Sequence, residues 1–259
     1  MSPLAAFLAT VAIVVAAKTG AWLLQLRTRN AGLVDPIWAF TLGFLAVFYA
    51  LAGSAPEATR LALGAMGATW GARLGLHLWL RNAGKPEDFR YAAFRARWGA
   101  AADRNMFWFF QFQNVFTLAL SASAFLPVAF RDASPPDASF GLAGLIWIVA
   151  VAGEGLADRQ MERFRANPQN KGQVCRDGLW RWSRHPNYFF ECVHWLAYVP
   201  LALGAPWGWA SLAAPVVMAA LLMKLSGVPI LEEDMVKRKP GYAEYIRTTS
   251  ALIPWPPKQ

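Results

Sequence analysis

The sequence predicts an all-α integral membrane protein with seven transmembrane helices, and three observations lead there. Seven apolar stretches are long enough, or nearly so, to cross a bilayer: 4–26, 33–52, 61–80, 107–130, 140–156, 188–203 and 207–228. Backbone facing lipid must satisfy its own hydrogen bonds, which makes these stretches helices. The cations are also unevenly placed. Of 25 Lys and Arg, 20 fall in segments 26–32, 81–105, 158–187 and 229–259, whereas 53–60 and 128–138 hold one each and 205–206 holds none. Short loops rich in Lys and Arg stay in the cytoplasm, so the expected orientation is N-terminus outside and C-terminus cytoplasmic.

Composition narrows the function classes. The 259 residues are 56% hydrophobic, with 13 Trp and 17 Phe, and read as one transmembrane domain over 1–259. The net charge of +9 is first a topology signal, and no nucleic-acid partner is expected. Cys175 and Cys192 have no metal or redox spacing, and Cys175 falls in a cytoplasmic loop where disulfides rarely persist. No metal site is expected. Met1-Ser2-Pro3 lacks the basic start of a cleavable signal. No glycine-rich phosphate motif and no nucleophile elbow occur, so a nucleotide would be held by side chains from several loops.

In chain order, the first helix ends at Arg27-Thr28-Arg29-Asn30. Asp35-Pro36 then suits an N-cap followed by proline at the first helical position, a role that would account for Asp35 by itself. In the third helix Arg73 and His77 are four apart, a pair expected to face the bundle interior, and Gly84 with Pro86 ends the helix. Residues 89–98 alternate cations with aromatics and read as an amphipathic helix on the membrane surface. Gln111, Gln113 and Asn114 are amides fit to line a cavity or join helices. The fifth helix carries Glu154, Asp158, Glu162 and Arg165 on one face, and a solvated stripe of ion pairs explains that spacing equally well.

The richest stretch is 178–195, GLWRWSRHPNYFFECVHW. Pro186 is suited to open a helix, which puts Asn187 and Glu191 one turn apart on a single face. Glu191 then lies inside an otherwise apolar segment, where a carboxylate is costly unless it meets a polar cavity or a partner. Polar chemistry is therefore expected on the cytoplasmic side, mainly in 81–105, 154–191 and 229–250.

Asn82-x-x-Lys85-Pro86, Asp158, Arg165 and Asn187-x-x-x-Glu191 together resemble the steroid 5-alpha-reductase family, and in particular its bacterial membrane branch. The resemblance is strongest over 154–191 and weaker over 33–90. It implies seven helices in a bacterial inner membrane, a cytoplasm-facing NADPH site, and reduction of a C=C bond conjugated to a ketone in an apolar, steroid-like substrate. On that resemblance Asn82, Lys85, Glu154, Asp158, Arg165, Lys171, Asn187 and Tyr188 would bind NADPH, with Asn187 near the nicotinamide. Glu191 would help orient it, and Asp35, in its protonated form, would polarise the ketone. The sequence departs from the family at three places. Glu154 stands for the family's Asn, Gly172-Gln173 for its Tyr-Arg pair, and Gly71 for the substrate-binding Tyr of the third helix.

A second family overlaps the same region. His185-Pro186-x-Tyr188, Glu232-Glu233 and Tyr242-x-x-Tyr245 are similar to isoprenylcysteine carboxyl methyltransferases, which use S-adenosylmethionine. Asn82-x-x-Lys85-Pro86 and Asp35 favour the reductase. A membrane protein with no enzymatic activity is the third reading.

Overall fold

The computed structural model describes residues 1–258. All regular structure among them is helical. Five stretches are long and apolar enough to cross a membrane: Pro3–Thr28, Ala31–Ala52, Phe89–Ala129, Asp137–Ala166 and Gly208–Arg238.

The chain divides into two compact units, 1–140 with 201–214, and 141–200 with 215–259. In the first unit, α1 (Pro3–Thr28) opens with the Ser2 hydroxyl accepting from Ala5 N at 3.2 Å and ends at Arg29 in a left-handed conformation. A 3-10 turn (Ala31–Leu33), capped by Asn30, leads into α2 (Val34–Ala52). Asp35 therefore lies inside the first turn of α2, where Leu33 is the N-cap. The expected Asx cap is not formed, because Asn30 caps the preceding turn and frees the Asp35 carboxylate for tertiary contacts.

α3 (Glu57–Asn82) packs tightly against α2. A Cβ placed on Gly71 would lie 2.6 Å from Gly43 Cα and 2.9 Å from Ala39 O, so only glycine permits this backbone approach. The position aligned with a substrate-binding tyrosine is thus a helix-crossing point. α3 spans about 39 Å, but Arg60, Arg73, His77 and Arg81 make it more polar than the five candidate spans. Gly84, at φ +69°, turns the chain away from it.

α4 (Phe89–Trp98) starts at Asp88, whose carboxylate accepts from Arg90 N at 3.0 Å. Its aromatic face is buried within the unit. Tyr91, Phe94 and Trp98 pack with Phe109 of α5 (Ala102–Phe112), in a cluster with Ala21, Val34, Met106 and Phe110. Gln113 links α5 to α6 (Asn114–Ala129).

In the second unit, α7 (Asp137–Ala166) carries its polar stripe into α8 territory through a long loop. That loop is tied back to the helix: Leu179 N donates to Gln160 Oε1 at 2.9 Å and the Trp180 ring N–H to Ala157 O at 3.0 Å. α8 (Pro186–Leu196) opens on Pro186 as expected. It has 11 residues, about 16 Å, too short alone for a hydrocarbon layer of about 30 Å. A turn at Ala197–Tyr198 separates it from α9 (Val199–Ala202), so the stretch 188–203 is not one continuous helix. α10 (Ala213–Ala220), a π-turn (Leu221–Leu225), α11 (Val228–Arg238) and α12 (Tyr242–Thr248) complete the chain.

Candidate functional site

In the second unit the polar face of α7 meets the start of α8. Glu154 and Asp158 are buried, at 4% and 8% exposure, whereas Glu162 and Arg165 further along the same stripe are exposed. The stripe is solvent-facing only over its second half. Asn187 Nδ2 lies 3.4 Å from Asp158 Oδ1, which brings two predicted cofactor residues together across 29 positions. Asn187 Oδ1 is buried and has no hydrogen-bond partner. One turn on, Glu191 is 5% exposed and accepts from the Trp195 ring N–H at 3.1 Å. Tyr188 stacks on His185, with ring centroids 5.2 Å apart and planes 9° off parallel.

Cations collect beyond this face. Lys239 Nζ donates to Gln173 O at 2.8 Å. Burial pushes the Lys239 ammonium below the usual lysine range, and the nearby charges of Arg165 and Arg238 push it the same way. Such a group of like charges suits an anion. Lys171 is exposed at the end of a 3-10 turn in the same loop.

A second constellation holds the C-terminal segment. The Arg184 guanidinium, 8% exposed, donates from Nε to Glu232 Oε1 at 2.6 Å and from Nη2 to Oε2 at 3.2 Å. Its Nη1 donates to the carbonyls of Ile246 and Thr249. His185 Nε2 lies 3.0 Å from Glu232 Oε1. Tyr245 donates to Trp180 O and Ser183 O, and burial holds the Tyr242 and Tyr245 phenols well above the usual range. His185, Tyr188, Glu232, Tyr242 and Tyr245, which resemble the methyltransferases, are therefore gathered in one place, whereas Glu233 is exposed and pairs with Lys237.

In the first unit, Asp35 accepts from Arg90 Nη2 at 2.8 Å and from the Tyr91 hydroxyl at 2.6 Å. Asp35 is thus held between a guanidinium and a phenol hydroxyl of α4. Arg90 also binds Asp88, and Arg81 lies 3.9 Å from it. Burial pushes the Asp88 carboxyl up, but the hydrogen bonds and charge of Arg90, with Arg81, hold it below the usual range. Arg95 bridges Glu87 and Asp103. Two of the cations expected on a membrane-surface helix are therefore committed to carboxylates inside the unit. Asn82, buried, donates to Leu78 O at 3.0 Å, and its own carbonyl accepts from Asn30. Lys85 is exposed and donates to Leu80 O at 3.0 Å, capping the end of α3.

Tyr91 was not singled out from the sequence. Its signal was there, since an aromatic beside each cation in 89–98 marks a helix with one apolar face, but the burial side of that face is a tertiary fact. Among the described residues no group of His, Cys, Asp and Glu could hold a metal ion, and both cysteines are free.

No curated protein and no solved structure shows significant similarity to the chain. The profile of a family described as "Protein of unknown function (DUF1295)" matches residues 21–249. That match spans nearly the whole chain, both units and every polar cluster described above, and the protein accordingly belongs to the DUF1295 family.

Proposed function

We propose that the protein is a membrane-embedded, NADPH-dependent reductase of the C=C bond of an apolar enone, with a 3-oxo-Δ4 steroid as the simplest substrate. The observation that carries this reading is the Asn187 carboxamide. Its NH2 faces Asp158, and its buried Oδ1 is an acceptor suited to the N–H of a nicotinamide carboxamide. Arg165, Lys171 and Lys239 supply the cations a dinucleotide's phosphates need. NADPH, when bound, supplies the hydride. Glu154, Asp158 and Glu191 would hold the ring through hydrogen bonds, and Tyr188, stacked on His185, would offer it a flat surface. Asn82 and Lys85 belong to the cofactor set by resemblance alone.

In this reading Asp35 is a positioning residue. Its carboxylate, ion-paired to Arg90, orients the Tyr91 hydroxyl, and Tyr91 takes the electrophile's role that the aligned Gly71 cannot fill. A preorganised donor of that kind is worth about 3 kcal/mol in the transition state. The reading also includes seven crossings, with α3 and the α8–α9 segment added to the five apolar spans. It puts the N-terminus outside and the site facing the cytoplasm of a bacterial inner membrane. Cysteine-accessibility labelling in 53–60 and 229–259 tests the orientation.

One observation favours a second reading, S-adenosylmethionine-dependent methyl transfer. His185, Tyr188 and Glu232 are adjacent, as the methyltransferase resemblance would require. Thermal unfolding with each ligand separates the two. NADPH should raise the midpoint, and S-adenosylmethionine should not. The reverse selects the methyltransferase, and no shift from either selects a protein without enzymatic activity.

A further inference from the structure

The buried face of α1 runs against the usual pattern for a span. Its inward residues are Ala6, Thr10, Val14, Lys18, Ala21 and Gln25, whereas Leu4, Leu8, Val15 and Leu23 are exposed. Lys18, near the middle of the helix, is 1% exposed. An ionisable group at that depth is costly, and an apolar side chain would pack α1 without the cost. Lys18 Nζ donates to Gln113 Oε1 at 2.8 Å, and no other acceptor among the described residues meets it. An ammonium has three N–H donors, so most of its hydrogen-bonding capacity is unused.

Gln113 is the residue between α5 and α6. Its neighbour Asn114 is 5% exposed and donates from Nδ2 to Gln111 Oε1 at 2.9 Å, while Asn114 Oδ1 is buried with no partner. Gln111 Nε2 donates to Thr19 Oγ1 at 3.2 Å. Lys18, Gln113, Asn114, Gln111 and Thr19 therefore close a ring, each joined to the next by a peptide or a hydrogen bond. The ring holds unused donors on Lys18 and an unused acceptor on Asn114. Beside it, Val15, Phe112 and Val115 present exposed apolar surface, and a Cβ on Gly20 would meet nothing within 4 Å.

We propose that this ring binds the head group of an acidic amphiphile, a carboxyl on an apolar body lying along α1, α5 and α6. The carboxyl oxygen accepts from Lys18 and the acid O–H donates to Asn114 Oδ1. The two oxygens of one carboxyl thus use both unsatisfied groups at once, while Asp35 is the carboxylate whose charge already acts on Lys18. A neutral alcohol of the same length offers only half of this. The site does not depend on the reductase reading.

The test uses the full chain in a neutral detergent, with oleate and oleyl alcohol as probes. At about 100 times its Kd, oleate should raise the unfolding midpoint by about 5 °C, and oleyl alcohol by under about 1 °C. Lys18→Met should abolish the difference, and Asn114→Leu should weaken oleate about tenfold. If Lys18→Met does not fold, Asn114→Leu and the carboxyl signal of oleate labelled with carbon-13 on the wild type decide. Equal effects of acid and alcohol on the wild type, an unshifted carboxyl signal, an oleate effect that survives Lys18→Met, or one undiminished by Asn114→Leu would overturn the proposal.

Discussion

Replacing Glu232 by Ala removes the carboxylate that holds both the Arg184 fork and the His185 ring. Arg184 is 8% exposed, and the Glu232 side chain is 13% exposed. Taking one partner from a buried pair strands the other charge, which costs about 3–5 kcal/mol. Because Glu232 keeps some contact with solvent, the low end applies, about 3 kcal/mol. The loss falls on the segment that this cluster ties down, since Arg184 also binds the carbonyls of Ile246 and Thr249, and its N–H donates to Ser250 O. At 1.36 kcal/mol per decade, the opening constant of that segment rises about 100-fold. Trypsin reads this at Arg247, in α12, because cleavage through a rapidly reclosing open state follows the opening equilibrium. Glu232→Ala should be cut at Arg247 about 100-fold faster than wild type, with Glu232→Gln in between because its amide oxygen still accepts one hydrogen bond. A rate within about threefold of wild type would refute the reasoning, since it would mean that the cluster contributes under about 1 kcal/mol.

Other outcomes follow from the same geometry. Gly71→Ala puts a methyl group against Gly43 and should cost about 2 kcal/mol in unfolding free energy, whereas Gly144→Ala, with open space around it, should leave the midpoint unchanged. Tyr91→Phe removes the 2.6 Å hydrogen bond to Asp35 and should cost about 2 kcal/mol, and in the reductase reading it lowers turnover while sparing NADPH affinity. Equal NADPH affinity with full turnover would return the Asp35–Tyr91 contact to a purely structural role. Asp88 has a depressed carboxyl pKa, so its stabilisation is present above the unfolded value of about 3.9 and is lost as pH falls through the folded value. Asp88→Asn should therefore be less stable than wild type at pH 6, with the gap closing below about pH 4; a gap independent of pH would contradict the assignment.

The all-helical, membrane-spanning character and the start of α8 were legible because they rest on local signals, namely apolar run length and proline at a helix start. The resemblance made Asp158 and Asn187 cofactor residues separately, and no spacing rule predicts their contact, because the return of the loop depends on Trp180 and Gln160 pinning it to α7. Asp35 was misread as a cap because Asp-Pro looks the same whether or not a capped turn precedes it. Asn30 decides that question, and only in three dimensions. The partners of Asp35 were out of reach for the same kind of reason, since Arg90 lies 55 residues away. The 188–203 run was apolar enough to suggest a span, but Ala197–Tyr198 breaks it, and hydropathy does not register a turn. Lys18 had a sequence signal, a lone cation in a long apolar run, whose meaning required its neighbours.

Titration of NADPH into the purified protein, comparing wild type with Asn187→Leu and Arg165→Ala, tests most directly whether the α7–α8 face is a dinucleotide site. Saturable binding by wild type, weakened about tenfold or more in both variants while their unfolding midpoints hold, is the predicted result. Binding that is indifferent to both substitutions, or absent from wild type while S-adenosylmethionine binds, would contradict it.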